Sequence, residues 1–311
     1  MPRGRIKVAI CVCTYRRLDG LRNLLLGIAQ LRFERIAEPD IEIIVVENDQ
    51  TGSARPICES LRGILRWPLR YEIEANPGIS NARNRCLRIA AEDSDLVAFL
   101  DDDEMPTPLW LEALLLAHER YGADVVAGPV LGVYQQCPPR FMTHFPFHSS
   151  ERRESGTLVD ECGAGNVLFA AKLVTKQNLQ FEQSMGLCGG EDKLFFASAH
   201  RKGARMVWCN EAIVEENVPP ERATVLWLLR RAFRIGVAAH KCARHLDGSL
   251  SALVQSLWLG CTRIGAGLVS LPVTVAFGQH RSVMALCRIA FGAGCILAVG
   301  GYDINAYRPK A

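Results

Sequence analysis

Several motifs of common nucleotide-binding proteins are missing from this sequence. No G-x-G-x-x-G follows the first apolar run and no G-x-x-x-x-G-K-[ST] occurs, which argues against a dinucleotide-binding domain and a P-loop NTPase. The net charge is only +3, no basic stretch is interleaved with aromatic residues, and no zinc-finger spacing occurs. We therefore predict no nucleic-acid partner.

Cysteine spacings typical of a metal or redox site are missing as well, although the chain contains 12 cysteines. None forms a C-x-x-C, and most lie within apolar runs, where free cysteine behaves as a small buried hydrophobe. The apolar run after Lys7 is short and has no small-residue cleavage site, unlike a secretory signal. We expect reduced thiols in a cytoplasmic environment. His144, His148 and His200 lack a metal-ligand spacing, and we expect them in loops or on the surface.

Strand-like and helix-like patterns alternate through the first half of the chain. Residues 6–13 and 41–46 are apolar and rich in β-branched residues, as in buried strands, and residues 18–31 have helical spacing. The same reasoning predicts strands over 69–74, 96–100 and 124–127, and helices over 54–65, over 80–91 and from Thr107, which would cap its helix. This order predicts an α/β fold with a largely parallel sheet covered by helices on both faces.

Three consecutive aspartates, Asp101, Asp102 and Asp103, follow the fourth predicted strand. Carboxylates so close together repel one another unless a cation lies among them. Mg²⁺ and Mn²⁺ take oxygen ligands from carboxylates and phosphates, so the triplet indicates a metal that bridges the protein to a diphosphate. The alternative is an acidic turn that caps the next helix. Because alternate side chains diverge in extended backbone, we expect Asp102 to point away from the site.

Two further polar clusters end predicted strands. They are Thr14-Tyr15-Arg16 and Glu47-Asn48-Asp49. In open parallel sheets, ligands bind beyond the carboxyl ends of the strands. The agreement of these clusters with the aspartate triplet therefore predicts one binding site along this edge of the sheet.

The C-terminal region differs in character from the rest. Between residues 248 and 302 the only charged residues are Arg263, Arg281 and Arg288. The longest stretches without a charge or histidine have about 15 residues, fewer than the roughly 20 that a straight spanning helix needs. We expect a catalytic domain over residues 1–240 and a helical, membrane-associated tail over 241–311. The sequence leaves open whether the tail spans the membrane or lies in its interface, and the alternative is a hydrophobic oligomer interface.

Six motifs resemble, in their order and spacing, inverting family 2 glycosyltransferases of the GT-A fold, particularly bacterial exopolysaccharide glycosyltransferases of the succinoglycan type. The motifs extend over about residues 6–235. They are Val8–Arg17, Ile44–Asp49, Asn76–Asn84, Phe99–Glu104, Gly163–Asn166 and Gly190–Asp192.

The resemblance implies a role for each matching residue. Asp103 would be the metal ligand of a D-x-D motif, and Asp101 would lie near the metal or the ribose. Asp192 would be the catalytic base, with Glu191 supporting the acceptor; the alternative is an acidic helix N-terminus. The nucleotide-sugar donor would lie against Thr14, Tyr15, Glu47, Asn48, Asp49, Arg83, Asp101, Asp102, Arg231 and Arg234.

This sequence departs from the family pattern at two places. The family often has aspartates where Glu47 and Asn48 stand, and many members have Q-x-x-R-W where residues 230–234 read R-R-A-F-R. Arginine suits diphosphate recognition because its guanidinium forms bidentate contacts. The alternative for this segment is a basic helix face against anionic lipid, and the alternative for Arg83 is a solvated helix face.

These observations predict an enzyme at the cytoplasmic face of the inner membrane. It would transfer a sugar, with inversion and with Mn²⁺ or Mg²⁺, from a nucleotide-sugar such as a UDP-sugar to a lipid-linked or polysaccharide acceptor. One alternative is a non-catalytic GT-A-like partner subunit, which would need neither Asp103 nor Asp192. Another is a nucleotidyltransferase, which usually carries a glycine-rich basic loop that the first strand here lacks.

Overall fold

A computed structural model describes residues 5–143, 147–276 and 278–304, so the prediction for His144 lies outside the described residues. The chain forms two compact units. The first comprises residues 1–131, 149–183 and 195–217, and the second comprises residues 132–148, 184–194 and 218–311.

The secondary-structure elements are numbered in chain order. The strands are β1 Lys7–Thr14, β2 Asp40–Glu47, β3 Leu69–Ile73, β4 Leu96–Asp101, β5 Glu104–Pro106, β6 Val125–Ala127, β7 Val130–Tyr134, β8 Asn166–Ala170, β9 Met206–Trp208 and β10 Val214–Val218. The helices are α1 Leu18–Ala29, α2 Arg55–Leu61, α3 Ile79–Ala90, α4 Trp110–Tyr121, α5 Arg140–Thr143, α6 Lys172–Thr175, α7 Glu191–Arg201, α8 Val225–Asp247, α9 Ser249–Ala276 and α10 Gln279–Val299.

The main sheet has seven strands in the order β3-β2-β1-β4-β8-β6-β9. Strands β3, β2, β1 and β4 are parallel, which confirms the α/β arrangement predicted for the first half of the chain. Strand β8 is antiparallel to both β4 and β6, so the sheet is mixed beyond β4. In a small second sheet, β10 lies between β5 and β7.

Both faces of the main sheet are buried, as the apolar strands predict. On β1, Val8, Ile10 and Val12 belong to the hydrophobic cluster that includes α1 and α4, and alternate residues belong to the cluster that includes α3 and α7. Cys11 and Cys13 are among those alternate residues and are free thiols, as expected for cysteine used as a small hydrophobe. The core therefore holds the carboxyl ends of the parallel strands in fixed positions.

The predicted start of α4 at Thr107 is wrong. The helix begins at Trp110 after Leu109, and the Thr107 hydroxyl donates to the carbonyl of Ile213 at 3.1 Å instead of capping the helix. Because the same segment pairs with a strand more than 100 residues away, a tertiary contact replaces the local cap.

Three long helices, α8, α9 and α10, dominate the second unit. The predicted boundary at residue 240 does not coincide with the division into units, because residues 184–194 and 218–240 both belong to the second unit. Met185, Cys188 and Leu194 form one hydrophobic cluster with Ala238 of α8. The segment that carries Glu191 and Asp192 therefore shares a core with the C-terminal helices.

A buried carboxylate stabilises the loop between α1 and β2. Glu112 on α4 is 2% exposed, and its Oε1 accepts hydrogen bonds from the backbone N–H groups of Glu34, Arg35 and Ile36 at 2.7, 2.6 and 3.2 Å. No arginine or lysine side chain is needed to hold this carboxylate, since three donors converge on one oxygen.

We expect Glu112→Ala to lower the free energy of unfolding by about 1–3 kcal/mol, because the three N–H groups lose their acceptor. Urea denaturation followed by circular dichroism measures the change. The exposed Glu119 on the same helix provides a control, Glu119→Ala, which should stay within about 0.5 kcal/mol of the wild type. Equal effects of the two substitutions would contradict this account.

Candidate active site

The predicted polar clusters meet at the carboxyl edge of the parallel strands. In the sheet register, Thr14 at the end of β1 lies opposite Glu47 of β2, and Cys13 lies opposite Asp101 of β4. The three strand ends that sequence reasoning selected are therefore neighbours, and the first unit presents them along a single edge.

Asp102 lies within this cluster, so the prediction that it points away is wrong. Its side chain accepts hydrogen bonds from the Thr14 hydroxyl at 2.9 Å and from Arg17 Nη1 at 2.8 Å. Arg17 also bonds to Asp103 Oδ2 at 2.9 Å. Residues 102 and 103 form a turn beyond β4 rather than continuing it, so the alternation of an extended strand does not apply.

Electrostatics explain why Arg17 lies here. Asp102 is 5% exposed, and its burial raises the pKa of the carboxyl to about 6, against the opposing effect of Arg17. A buried carboxylate needs a partner, and Arg17 provides one charge to two neighbouring acids. The sequence prediction did not include Arg17, although its place at the end of the Val8–Arg17 motif was a signal for it.

Asp101 is paired with a second arginine. Its Oδ1 accepts from Nη2 of Arg83 at 3.0 Å, and the guanidinium of Arg83 lies over the ring of Phe181 at 5.6 Å. Arg83 is only 4% exposed, so it does not lie on a solvated helix face. The Asp101 side chain is 42% exposed, which leaves carboxylate oxygen accessible to a ligand.

Sequence reasoning assigned no role to Glu104, which closes the turn. It is 6% exposed, and its Oε2 accepts from the backbone N–H of Asp101 at 2.8 Å. Burial, with Asp101 and Asp103 nearby, raises the pKa of this carboxyl well above its usual range. A Cβ added to Gly165 would lie 2.3 Å from Glu104 Oε1, so a larger residue there would displace the Glu104 carboxylate. The Gly163–Asn166 motif thus supports the aspartate turn.

The segment after β2 is more enclosed than predicted. Glu47 is 0% exposed; it accepts hydrogen bonds from Ser53 Oγ at 2.7 Å, from the Ala54 N–H at 3.0 Å and from the Tyr71 hydroxyl. The structure therefore places its carboxylate inside the protein, away from any ligand, contrary to the predicted role at the donor. The reason is that β3 and the loop after β2 fold over it.

Asn48 and Asp49, which follow Glu47, make contacts at the same edge of the sheet. Asn48 Nδ2 donates to the carbonyls of Glu74 and Asn76 at 2.9 and 2.7 Å, which ties the loop before α3 to β2. Asp49 forms an ion pair with Arg16 at 2.5 Å, and the Arg16 guanidinium lies over the Tyr15 ring at 5.1 Å. Asp49 is therefore paired with a charged side chain that is itself exposed, since the Arg16 side chain is 55% exposed.

The second unit positions Glu191 and Asp192 in the first turn of α7. The turn before it passes through Gly190, whose φ of +89° favours glycine. A Cβ at Gly190 would lie 2.9 Å from the Cβ of Ala238 on α8. Glu191 is 4% exposed, whereas Asp192 is half-buried and accepts from the Lys193 N–H at 2.7 Å. Close packing of Gly190 on α8 therefore fixes the position of the first turn of α7, which contains both acids.

Arg231 and Arg234 lie on α8, also in the second unit. The guanidinium of Arg231 lies over the Trp227 ring, 5.3 Å from its centroid. The ring centroids of His148 and Trp227 are 5.1 Å apart. His148 lies in a turn, in agreement with the predicted loop or surface position, but it is buried, at 4% exposed. Burial, with Arg231 and Arg222 nearby, lowers its pKa to about 4, so the ring is neutral at neutral pH.

The carboxylates of the aspartate turn give a divalent cation an incomplete ligand set. Among the described residues no group of three or more His, Cys, Asp or Glu side chains could hold a metal ion. Asp101 and Asp103 provide hard oxygen donors of the kind that Mg²⁺ and Mn²⁺ prefer. These residues fit a cation whose remaining ligands come from a diphosphate and water.

Comparison with known proteins assigns the family. The sequence model of glycosyl transferase family 2 matches residues 9–176, which is more than half of the chain. The chain belongs to glycosyltransferase family 2. This glycosyltransferase is 35% identical, over 236 residues, to the succinoglycan biosynthesis protein ExoM of Rhizobium meliloti, covering 76% of this chain and 75% of ExoM. It is 26% identical, over 230 residues, to ExoW of the same organism, covering 66% and 67% of the two chains.

Solved structures support the GT-A fold of this glycosyltransferase. A mannosyltransferase from Pyrobaculum calidifontis, solved with GDP-Man and Mn²⁺, matches with a TM-score of 0.58 and 20% identity, over 93% of this chain and 87% of the other. TarS of S. aureus in complex with UDP matches with a TM-score of 0.55 and 19% identity, over 96% and 91%. At these identities, the likeness concerns the fold.

We expect Gly165→Ala to weaken nucleoside diphosphate binding, because its Cβ would displace the Glu104 carboxylate that holds the Asp101 backbone. Overpacking of this kind costs about 1–3 kcal/mol. Calorimetry with UDP and Mn²⁺ measures the change. Gly63, which has open space around its Cβ position, provides the control Gly63→Ala. Unchanged affinity in a folded Gly165→Ala protein would show that the contact does not shape the site.

Proposed function

We propose that this glycosyltransferase transfers a sugar, with inversion at the anomeric carbon, from a nucleotide-sugar donor to a lipid-linked or polysaccharide acceptor. The reaction would take place at the cytoplasmic face of the inner membrane, with Mn²⁺ or Mg²⁺. The observation that carries the proposal is the pair of partly exposed carboxylates, Asp101 and Asp103, beside the carboxyl edge of a parallel sheet in a family 2 chain.

Charge supports a diphosphate donor. Asp101 and Asp103 would hold the cation, and a bound cation would neutralise charge that develops on the departing nucleoside diphosphate. Arg17 pairs with both Asp102 and Asp103, and Arg83 pairs with Asp101. The carboxylates are therefore held in place before a donor arrives. This preorganisation is what electrostatic stabilisation of a leaving group requires.

Asp192 supports the inverting mechanism. Inversion in one step needs a base that takes the proton from the acceptor hydroxyl as it attacks. Asp192 is half-buried in the first turn of α7, whereas Glu191 beside it is buried. The more accessible of the two acids is thus the one proposed as the base, and Glu191 is proposed to support the acceptor.

The relatives support the acceptor class and the location. The relatives in Rhizobium meliloti are named as succinoglycan biosynthesis proteins, which favours an exopolysaccharide or other cell-surface glycan as the product. Two helical segments, Ser249–Pro272 and Gln279–Val299, are long and apolar enough to cross a membrane. Lipid-linked acceptors lie at such a surface. We propose that the donor is a UDP-sugar.

A donor screen tests the proposed activity directly. The full-length protein would be incubated with UDP-, GDP- and dTDP-sugars, each with Mn²⁺, with Mg²⁺ or with a chelator, and release of nucleoside diphosphate would be measured. We expect release from one donor class, with cation present and none with the chelator. Failure of every donor to release nucleoside diphosphate, in the presence of membrane lipid extract as acceptor, would favour a non-catalytic subunit.

We expect Asp103→Ala to abolish transfer and to remove the metal dependence of donor binding, because the cation would lose a charged ligand. Calorimetry with a nucleoside diphosphate, with and without Mn²⁺, provides the measurement. Asp160→Ala, at an exposed site in the same unit, is the control. Metal-dependent affinity that stays at the wild-type level in the Asp103 variant would exclude this residue as a ligand.

Asp192→Asn keeps the size of the side chain but cannot accept the proton. We expect kcat to fall by about 10²- to 10⁴-fold, while the KM for the donor stays near the wild-type value. Steady-state kinetics separate the two parameters. Glu221→Gln, exposed in the second unit, should leave both unchanged. If kcat stays near that of the wild type, Glu191 becomes the candidate base; if donor KM rises as much as kcat falls, Asp192 acts as a structural helix cap.

A further inference from the structure

Helices α9 and α10 pack through glycines, which defines the face that α9 buries. A Cβ on Gly260 would lie 2.9 Å from the carbonyl oxygen of Gly292, and a Cβ on Gly267 would lie 2.8 Å from the carbonyl oxygen of Ala285. The two backbones are therefore in close contact along an antiparallel pair. Residue numbers fall on α10 as they rise on α9, so residues near 263 on α9 lie level with residues near 290 on α10.

The opposite face of α9 is exposed and apolar over most of its length. Leu250 is 76% exposed, Trp258 is 73% exposed and Val269 is 79% exposed. The apolar residues exposed on this face, called the α9 stripe below, are Leu250, Val254, Leu257, Trp258, Leu268 and Val269. From Leu250 to Val269 the α9 stripe extends for about 28 Å along the helix. Exposed apolar surface of this extent marks a site of interaction.

The charges of the hairpin are all positive. Arg263 on α9 and Arg281 and Arg288 on α10 are its charged residues, and no acidic residue occurs between Asp247 and Asp303. Arg263 is five positions from both Trp258 and Leu268, which places it about 140° around the helix from each. Its guanidinium lies over the Phe291 ring of α10 at 5.9 Å. The arginine therefore lies off the α9 stripe, toward α10.

The positions of these arginines argue against a hairpin that crosses the bilayer. Arg263 lies near the middle of α9, about 20 Å from either end of the helix, and the register of the glycine contacts brings Arg288 to nearly the same level. Crossing would put both guanidinium groups near the bilayer centre with no acidic residue in the hairpin to pair with them, and a charge is costly there. It would also carry His280 and Arg281 to the far side, against the positive-inside tendency.

If α9 lies parallel to the membrane, both its exposed apolar stripe and the positive charges of the hairpin have suitable surroundings. The α9 stripe would lie among acyl chains just below the headgroups, while long arginine side chains reach the headgroup level. Anionic headgroups would complement the positive charge of the hairpin, whose sequence contains three arginines and no acidic residue. A second copy of the chain would meet the same three arginines with no acidic residue of its own hairpin to pair with them, so charge favours the lipid.

We propose that α9 lies flat in one anionic leaflet, with the α9 stripe in the acyl region, and does not span the bilayer. This inference rests on the membrane location given under the proposed function, but not on the transfer reaction. Its partner is a lipid surface that carries negative charge.

Depth measurements at three positions of α9 test the orientation. A fluorescent noncanonical amino acid would replace Leu250, Trp258 or Val269 in the full-length protein, which would be bound to vesicles of phosphatidylcholine and phosphatidylglycerol. Lipids with bromine at defined acyl positions would quench each probe. We expect all three probes at the same shallow depth, about 5–10 Å below the headgroups. Probes at Ile64 and Leu158, exposed in the first unit, should not be quenched.

Other depth patterns would overturn the proposal. Deep probes at positions 258 and 269, each within about 10 Å of the middle of the helix, with a shallow probe at position 250 would show that α9 spans the bilayer. No quenching at any of the three would show that the α9 stripe is covered by protein. The depth of each probe is measured without donor and without turnover, so failure of the orientation and failure of the transfer activity are distinguishable.

Arg263→Gln gives an independent test with opposite expected signs. If α9 lies flat, loss of one headgroup contact should weaken binding to phosphatidylglycerol vesicles by about fivefold, with little effect on neutral vesicles. If α9 spans, removal of a central charge should strengthen membrane insertion. Sedimentation with vesicles of the two compositions measures the difference, and tighter or unchanged binding to the anionic vesicles would refute the flat orientation.

Discussion

The accumulation of negative charge just beyond β4 is the constraint on which the first unit depends. Four consecutive acids, from Asp101 to Glu104, lie at the end of a buried strand, and unpaired buried carboxylates are strongly destabilising. Three arrangements stabilise these four acids. Arg83 from α3 pairs with Asp101, Arg17 pairs with Asp102 and Asp103, and Glu104 accepts a backbone N–H in a setting that favours its protonated form. The acids can therefore be presented at the sheet edge without unfolding it.

The second unit depends on close approach of backbones rather than on charge. Gly236 of α8 faces the carbonyl of Phe291 on α10, and Gly294 of α10 faces the carbonyl of Phe233 on α8. The same helix α8 leaves no room for a side chain at Gly190, one residue before Glu191. The turn that carries the proposed catalytic acids is thus packed on a helix that is itself packed on the apolar hairpin. A tail that serves only as an anchor would not need this arrangement.

The candidate site was partly predictable from the sequence because strand ends can be recognised. Thr14, Glu47 and Asp101 follow apolar runs, and parallel strands bring their carboxyl ends to one edge. What each side chain does there was less predictable. Glu47 is enclosed by Ser53 and Tyr71, and His148 is buried beside Trp227, because segments distant in sequence cover them. No local pattern encodes such coverage.

By itself, the sequence determined the order of strands and helices from β1 to β4, the polar edge of the sheet and the family, because periodicity and motif spacing are local properties. Tertiary structure alone decided that β8 runs antiparallel to β4, that Arg17 bridges Asp102 and Asp103, and that residues 184–194 share a core with the C-terminal helices. It also decided which face of α9 is left exposed. These features depend on contacts between segments far apart in the chain, where packing and charge compensation, rather than local propensity, select the arrangement.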